Sequence, residues 1–496
     1  MHFLHGFLLF LEVKMKILVI GGGIVGSLLT KELSKYENID VTLVEANYDL
    51  GAGVTKANSA ILHGGYDDEP STLRAKLCAR GNKMYDDLVD ELGVPVQRTG
   101  SLVVSEGNDG DKKKIIELYK RGIANGVSGM KIVEGEELRK IEPYLSPVFK
   151  YGLYCSSAGI TEPWIVAINS GRLAESNGAE IMLGDRVVGG LVRNKRAVSA
   201  VLNSGKKIQA DIFINCAGLY YEEIAKYFDV EVEKVLLRKG EYLLLDKAAK
   251  QFVNGVIFPL PTKMGKGKLI LPTIDGGVFL GPTSEDLKSF DPEDLATTRN
   301  GLEEILKSSD ELVPGISKFN WIIKSFAGLR PETEGKDFII KRDEEISNFI
   351  TVGGIRSPGL TAAPAISEYV INEILNGQMN IKLIKKEKIV ERIPAKIRVR
   401  EESFERISEL IEKDELYGRI ICQCNQVSER EIVDAVHSGA RTIESVKLRT
   451  RAGFGRCQGG FCTWKVAKII SRETGIELEE LIMNNENSYL LEGKVR

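Results

Sequence analysis

The chain has 496 residues, of which 43% are hydrophobic and 28% charged, with a formal net charge of −3. That length allows two to four domains and an ample core, and the nearly balanced charge excludes nucleic acid or an anionic membrane as an electrostatic partner. Seven glutamines beside abundant Lys and Glu lean towards a thermophilic source.

Residues 1–14 (MHFLHGFLLFLEVK) carry an apolar run without a basic start or a small-residue cleavage site. The run is too short to span a bilayer, so the segment is expected to be a dispensable extension ahead of Met15. No other segment could cross a membrane, which sets the expectation of a cytoplasmic protein with at most peripheral membrane association.

From Met15 the pattern is a βαβ unit. A strand over 17–20 meets Gly21, Gly23 and Gly26 in G-x-G-x-x-G spacing, a helix follows, and a strand over 41–44 ends on Glu45. Gly21 allows the tight turn, Gly23 lets the backbone approach a pyrophosphate and Gly26 lets helix and strand pack closely. The helix N-terminus offers N–H groups to phosphate, and Glu45 can accept from a ribose hydroxyl. A polar loop and an amphipathic helix opened by Pro70 and Ser71 follow, with Leu73, Leu77, Leu88 and Leu92 on its apolar side. Strands are expected at 103–105 and 152–155, with helices near 112–124 and over 163–177. A meander over 186–215 follows; Val187 at its start is counted among the cofactor-binding residues. The last of these strands leads into Ala217-Gly218, small enough for the backbone to approach a cofactor from a second side. Strand patterns dominate 225–345 around a helix near 292–308, and 349–375 then gives strand, glycine pair, proline-bearing turn and helix.

Residues 380–417 are dense in charge, a linker plus one helix. Beyond them Cys422 and Cys424 form C-x-C, and after a 32-residue spacer Cys457 and Cys462 form C-x4-C. Between the pairs Ser428 and Glu431 make a capping box, Gly439 ends that helix and Thr442 starts another. Four thiolates on two loops can hold zinc or a [2Fe–2S] cluster. The C-x-C spacing favours iron, as does the local charge: Arg441, Lys447, Arg449, Arg451 and Arg456 against Glu444 alone. Cys78, Cys155 and Cys216 lie in apolar surroundings and are expected to be reduced core thiols.

Nucleotide-binding pieces at the start, middle and end of one long region suit a flavoprotein with an inserted antiparallel domain, and so FAD. On its glycine motif, NSAILHGGY (58–66), INCAG (214–218), GLRP (328–331) and GGIRSPGLT (353–361), the chain resembles FAD-dependent oxidoreductases of the D-amino-acid oxidase and glycerol-3-phosphate dehydrogenase type over roughly 15–375. The His63 loop and the SPGLT turn are also similar to those of L-2-hydroxyglutarate oxidases. LRTRAGFGRCQGGFC resembles the bacterioferritin-associated-ferredoxin-like [2Fe–2S] domain at the C-terminus of anaerobic-type glycerol-3-phosphate dehydrogenase large subunits.

The expected fold class is therefore α/β: a Rossmann-like FAD-binding domain (parts 15–76, 160–224 and 346–379) with an inserted antiparallel α+β substrate domain (77–159 and 225–345), the 380–417 linker, and a small helical [2Fe–2S] domain over 418–496. Asn58 and Ser59 are placed at the cofactor. Gly353, Gly354, Gly359, Leu360 and Thr361 are placed at the isoalloxazine ring, with N–H groups on its O2 side. His2 and His5 lie in the extension and His437 in the cysteine module, so His63 is the candidate base on a substrate hydroxyl, or else a flavin contact. Arg330 and Arg356 sit in glycine-bounded turns, where the resemblance puts an arginine on the anionic end of the substrate and a second cation near it. Lys239 and Tyr242 are pointed at the same pocket. Where glycerol-3-phosphate dehydrogenases usually carry GGK, this chain has GGIR and then SPG. The residues alone specify a small anionic hydroxy substrate. The resemblance implies sn-glycerol 3-phosphate oxidised to dihydroxyacetone phosphate, with electrons leaving through the cluster to an accepting partner subunit in an oligomer or hetero-complex. The alternatives are a 2-hydroxy acid such as L-2-hydroxyglutarate, or an electron-transfer flavoprotein subunit reduced by NAD(P)H through a partner.

Overall fold

A computed structural model describes residues 14–260 and 267–493. Apart from Lys14, the N-terminal extension lies outside the described residues. β1 (Met15–Ile20), α1 (Ile24–Leu33) and β2 (Ile39–Glu45) form the expected unit, with β1 and β2 parallel from Met15 opposite Ile39 to Ile20 opposite Val44. They sit in a six-stranded sheet ordered Ile339–Arg342, Phe349–Gly353, Ile212–Asn215, β1, β2, Glu180–Leu183. Only the first of these strands is antiparallel to its neighbour. Strands covered on both faces must be apolar throughout, and Ile17 to Ile20 and Phe349 to Gly353 are buried without interruption.

α1 packs against the helices Pro163–Ser176 and Gly359–Tyr369, and Gly359–Tyr369 packs in turn against Leu73–Leu92. Thr72 caps the last of these, accepting from the Ala75 N–H; Pro70 and Ser71 lie just ahead of it. Gly81 makes the crossing close, since a Cβ there would lie 2.1 Å from the Thr361 carbonyl oxygen. Leu77, Tyr85, Leu88 and Leu92 therefore join the same core as β1 and α1. The helix crosses the boundary drawn at 76, and Ile339–Arg342 joins the central sheet although the sequence groups it with 225–345. Periodicity shows that a face is apolar but not which core receives it.

The second sheet carries Leu236–Leu245 and Ile322–Glu332 as a long antiparallel pair. It continues through Val278–Gly281, Leu269–Pro272, Val256–Pro259, Ser101–Ser105 and Tyr151–Cys155 to Met130–Glu134. Its pairs are antiparallel except where the two insertions meet, Val256–Pro259 beside Ser101–Ser105.

The charged linker is strapped to the flank of the first domain by backbone bonds. The Glu37 N–H donates to the Ile384 carbonyl, Lys386 to Lys35 and Ile393 to Glu91. The helix Phe404–Lys413 follows, and then the cysteine module, a small core of its own around Ile432, Val436, Val446 and Ile470. Both halves of the Ser428–Glu431 capping box form, and Thr442 caps the next helix. Among the described residues no helix is long and apolar enough to cross a membrane.

Candidate active site and cysteine centre

The carboxyl ends of β1 and β2 open into one continuous cavity of about 1810 Å³ that reaches the Arg330 strand in the second sheet. At the sheet end it is lined by Gly21, Gly23, Glu45, Asn58, Ser59, Val187, Ala217 and Gly218. Gly21 has φ +105°, and a Cβ there would lie 2.6 Å from the Cys216 carbonyl oxygen. Gly26 stands behind the turn, where a Cβ would lie 2.0 Å from the Gly21 oxygen. Gly23 is the N-cap of α1 and supplies no capping side chain; the Ile24 N–H donates to Thr55 Oγ1 (3.0 Å), and the first turn faces the cavity through Gly23, Ile24 and Val25. Glu45 is buried with one oxygen accepting from the Gly22 N–H (2.6 Å) and the other from the Asn47 N–H (2.8 Å). Burial pushes its pKa up, against those hydrogen bonds. Asn58 folds its own loop, donating to the Val54 and Thr55 carbonyls and accepting from Ala60, whose φ is +58°.

The far end of the cavity gathers His63, Arg330, Arg356, Ser357, Gly359 and Leu360 with Tyr242, Arg74 and Lys336. His63 Nε2 lies 3.2 Å from Ser357 Oγ, and the His63 N–H donates to Thr361 Oγ1 (2.8 Å). Arg330 lies inside the strand Ile322–Glu332, opposite Arg238, and not in a turn as the glycine at 328 suggested. Its guanidinium donates to the Thr283 carbonyl (3.0 Å) and lies over Gly240, where a Cβ would be 2.2 Å from Nη2. Among the described residues it forms no ion pair. Arg356 does lie in the turn after Phe349–Gly353, but it is paired with Glu332. Burial lowers its pKa, reinforced by Arg74 and opposed by Glu332. The two arginines thus differ: one is available to an anion, the other largely neutralised.

Four expectations are corrected. Gly353, Gly354 and Thr361 do not line the cavity. Gly353 faces the Tyr221 ring and Gly354 (φ +65°) the Thr333 methyl, while Thr361 is fully buried as a strut beneath the His63 loop. Lys239 is buried against Asp294 (3.1 Å) and also does not line the cavity, because strand alternation gives Arg238 that face. Tyr242 does line it, with its hydroxyl 3.2 Å from Ser59 Oγ. The sequence reading missed Arg74. It pairs with Asp68 (2.7 Å) and donates to the Lys336 and Ser357 carbonyls, tying together the loops that carry His63 and Arg356. Its place at the start of a helix following the His63 loop was the one available signal. Also missed was the hairpin tip Asn485–Asn487 of the cysteine module, which reaches the cavity rim.

The four cysteines come as two pairs across two loops. Cys424 and Cys457 sulfurs are 3.7 Å apart, and Cys422 is hydrogen-bonded with Cys462. Among the described residues no group of three Cys, His, Asp or Glu is placed to hold a lone metal ion, whereas a dinuclear cluster takes two thiolates per iron. The Cys422 thiol is pulled down to about 5, first by its bond with Cys462 and then by the N–H groups of Gly453, Asn425 and Cys424, while burial opposes the shift. The Phe461 N–H chiefly lowers Cys457. N–H groups directed at sulfur are what anionic thiolate ligands need, so the residues fit a [2Fe–2S] centre.

The basic residues of the module are not simply its countercharge. Arg449 forms a buried ion pair with Asp49, on the loop after β2 (Nη2 to Oδ1, 2.9 Å). Arg451 pairs with Asp275 and Glu162, Arg456 with Asp246, and Arg441 donates to the Val436 and Ala440 carbonyls. Phe454 of the cysteine loop stacks on Trp164 at 5.9 Å, with Arg451 over both rings. Trp164 follows Pro163, which lines the cavity. Aromatic packing and two buried arginines thus join the cysteine loops to the body of the protein around Trp164, next to the cavity-lining Pro163.

A largely parallel sheet whose strand ends open onto one cavity, arginines at the far end of that cavity, and four paired thiols in an appended module fit a flavin-dependent oxidoreductase with an iron–sulfur module. The chain belongs to the FAD dependent oxidoreductase family, whose model matches residues 16–373, and a BFD-like [2Fe-2S] binding domain matches residues 420–472. It is 41% identical to the glycerol 3-phosphate dehydrogenase of Caloramator mitchellensis over 96% of this chain and 98% of that one. It is 30% identical to the glycerol 3-phosphate oxidase of Mycoplasma pneumoniae over 75% of this chain and 96% of that one. The solved FAD-bound, dithionite-reduced L-alpha-glycerophosphate oxidase of that organism superposes with a TM-score of 0.70 at 28% identity, covering 77% of this chain and 98% of the other.

Proposed function

We propose that this enzyme oxidises sn-glycerol 3-phosphate to dihydroxyacetone phosphate and sends the electrons through its cluster to a partner protein. The observation that carries the substrate is Arg330, a cation in the cavity wall without a carboxylate partner among the described residues, whose fixed fork suits a phosphate. The similarity to glycerol 3-phosphate dehydrogenases and oxidases supports the same choice. Gly21, Gly23 and the start of α1 hold the FAD pyrophosphate, Glu45 its ribose, and Ala217-Gly218 the second side. A bound FAD would supply the acceptor for the hydride, hydrogen with two electrons, that leaves the substrate C–H bond, and Cys422, Cys424, Cys457 and Cys462 would hold a [2Fe–2S] centre able to pass electrons singly. His63 Nε2 takes the hydroxyl proton, with Ser357 at 3.2 Å fixing the ring. Arg356, tied to Glu332, holds the turn that ends at Gly359 and Leu360. The contact of Phe454 with Trp164 supports electron exit through the module, since Trp164 is the chain neighbour of the cavity-lining Pro163. We take the working compartment to be the cytoplasm, where thiolate ligands stay reduced.

The test is anaerobic bleaching of flavin absorbance with glycerol 3-phosphate, L-2-hydroxyglutarate, other 2-hydroxy acids and NADH in turn. Bleaching by glycerol 3-phosphate, followed by loss of the broad cluster absorption, is expected. Bleaching by L-2-hydroxyglutarate alone would move the reading to 2-hydroxy acids, and bleaching by NADH alone would overturn it.

A further inference from the structure

Electrons that reach the cluster have to leave where a ligand meets solvent, and the structure singles out one face. Cys424 is exposed, in contrast to the buried Cys422 and Cys462. Cys457, 3.7 Å from it, accepts from the Phe461 N–H, and the Phe461 ring is 83% exposed. Three residues on, Trp464 is 44% exposed, and Lys468 Nζ stands 5.3 Å over its ring. Lys465 is exposed beside them. Single exposed apolar side chains are ordinary, but two large aromatics within four residues, on either side of Cys462, make a patch. Residues 445–472 contain no Asp or Glu. Lys465 and Lys468 form no ion pair among the described residues, unlike Arg449 and Arg451, which are spent on the first and inserted domains.

We propose that the face formed by Cys424, Phe461, Trp464, Lys465 and Lys468 docks an acidic one-electron carrier protein. The choice of partner follows from the patch: lysines without an ion pair among the described residues attract an acidic surface and speed encounter, and the aromatic side chains exclude water at contact. Each substrate oxidised releases two electrons, so two oxidised carriers are reduced in succession at this face, one electron each. The inference rests on electron exit through the cluster, as proposed above.

The experiment uses the full holoenzyme and a small acidic [2Fe–2S] ferredoxin as probe, with a basic cytochrome c for comparison. Binding of the oxidised ferredoxin is measured by calorimetry at several salt concentrations, and cluster bleaching by glycerol 3-phosphate is followed separately. The Lys465→Glu/Lys468→Glu variant is expected to weaken ferredoxin binding about tenfold or more and flatten its salt dependence. Trp464→Ala should weaken it at all salt concentrations, and both variants should bleach as the wild type does. Ferredoxin binding unchanged in both variants, or tighter cytochrome c binding by the wild type, overturns the surface. So does a dimer of this chain that the variants dissociate, since the face would then cover a second copy. If glycerol 3-phosphate bleaches the flavin and leaves the cluster oxidised, the exit route fails instead, whatever the binding shows.

Discussion

Removing the Arg330 guanidinium takes away a bidentate fork that its neighbours do not supply: Arg356 is held by Glu332, Arg74 by Asp68, and Lys336 offers a single ammonium. A charge-assisted hydrogen bond is worth about 1.5–3 kcal/mol. Arg330→Ala should therefore raise KM for glycerol 3-phosphate by roughly 10- to 100-fold with FAD content unchanged, and steady-state kinetics with flavin spectra will check this. A KM within twofold of wild type would remove Arg330 from the substrate. His63→Gln should show the opposite division, with kcat down by about 10²- to 10⁴-fold and KM little moved; an unaltered kcat would leave His63 as a contact only. Glu142 gives a pH prediction away from the site. Burial raises its pKa from 4.5 to about 7, although the Asn254 and Gly255 N–H groups donate to it. The folded state thus holds a proton that the unfolded chain has lost between those values, so stability falls as pH rises from about 4.5 through about 7, by at most about 3 kcal/mol. Unfolding midpoints at pH 5, 6, 7 and 8 should show a shallower decline in Glu142→Gln than in wild type, and parallel profiles would discount the group. At this scale composition was informative where a residue type is rare: with four histidines, His63 stood out. The resemblance favoured Arg330 for the anionic end of the substrate, but the pairing of Arg356 was not legible, because Glu332 reaches it only in the folded chain.

The βαβ element tolerates little change. A Cβ at position 26 would lie 2.0 Å from the Gly21 oxygen, backbone that cannot yield without opening the phosphate turn. Gly26→Ala should therefore give protein without bound flavin, or none that folds. Gly189→Ala, where a Cβ meets only ordinary contacts at 3.7 Å in the meander, should keep its flavin; the 450 nm region of the purified proteins is the measurement. This element was legible in full, since its spacing is local: turn, helix start and acid all follow from one stretch of chain. The Leu73–Leu92 helix was legible as a helix only. Its docking through Gly81 onto Thr361 joins residues almost three hundred positions apart, and a lone glycine in a helix gives no sign of that. Lys239 was misassigned for a related reason. The side of a strand that faces the cavity is set by register with Ile322–Glu332, and a one-residue offset exchanges Lys239 for Arg238.

Across the whole molecule, the cysteine module is joined to the first domain by the buried Arg449–Asp49 pair and the Lys56–Glu444 bridge (2.8 Å), and to the inserted domain by Arg451 with Asp275. Breaking one side of a buried pair leaves the other charge unpaired, at a cost of about 3–5 kcal/mol. Arg449→Met alone should loosen the module and expose the 380–417 linker to protease, with the cluster spectrum retained. Asp49→Leu combined with Arg449→Met should restore most of the resistance, because it removes both charges. Equal protection of the single variant and the wild type would show that the aromatic contact of Trp164 with Phe454 holds the module without the pair. From the sequence the basic residues around the cysteines looked like countercharge for the cluster, and the structure turns most of them to the first and inserted domains. Local sequence determined the pieces of this protein: the glycine turn with its acid, the His63 loop, the capped helices and the four thiols. Each of these depends on neighbours within a few dozen residues and on chemistry that the residue types themselves carry. The tertiary structure alone decided which arginine has no ion pair among the described residues, which strand face lines the cavity, and that the cysteine loop packs on Trp164, because those depend on partners brought together from distant parts of the chain.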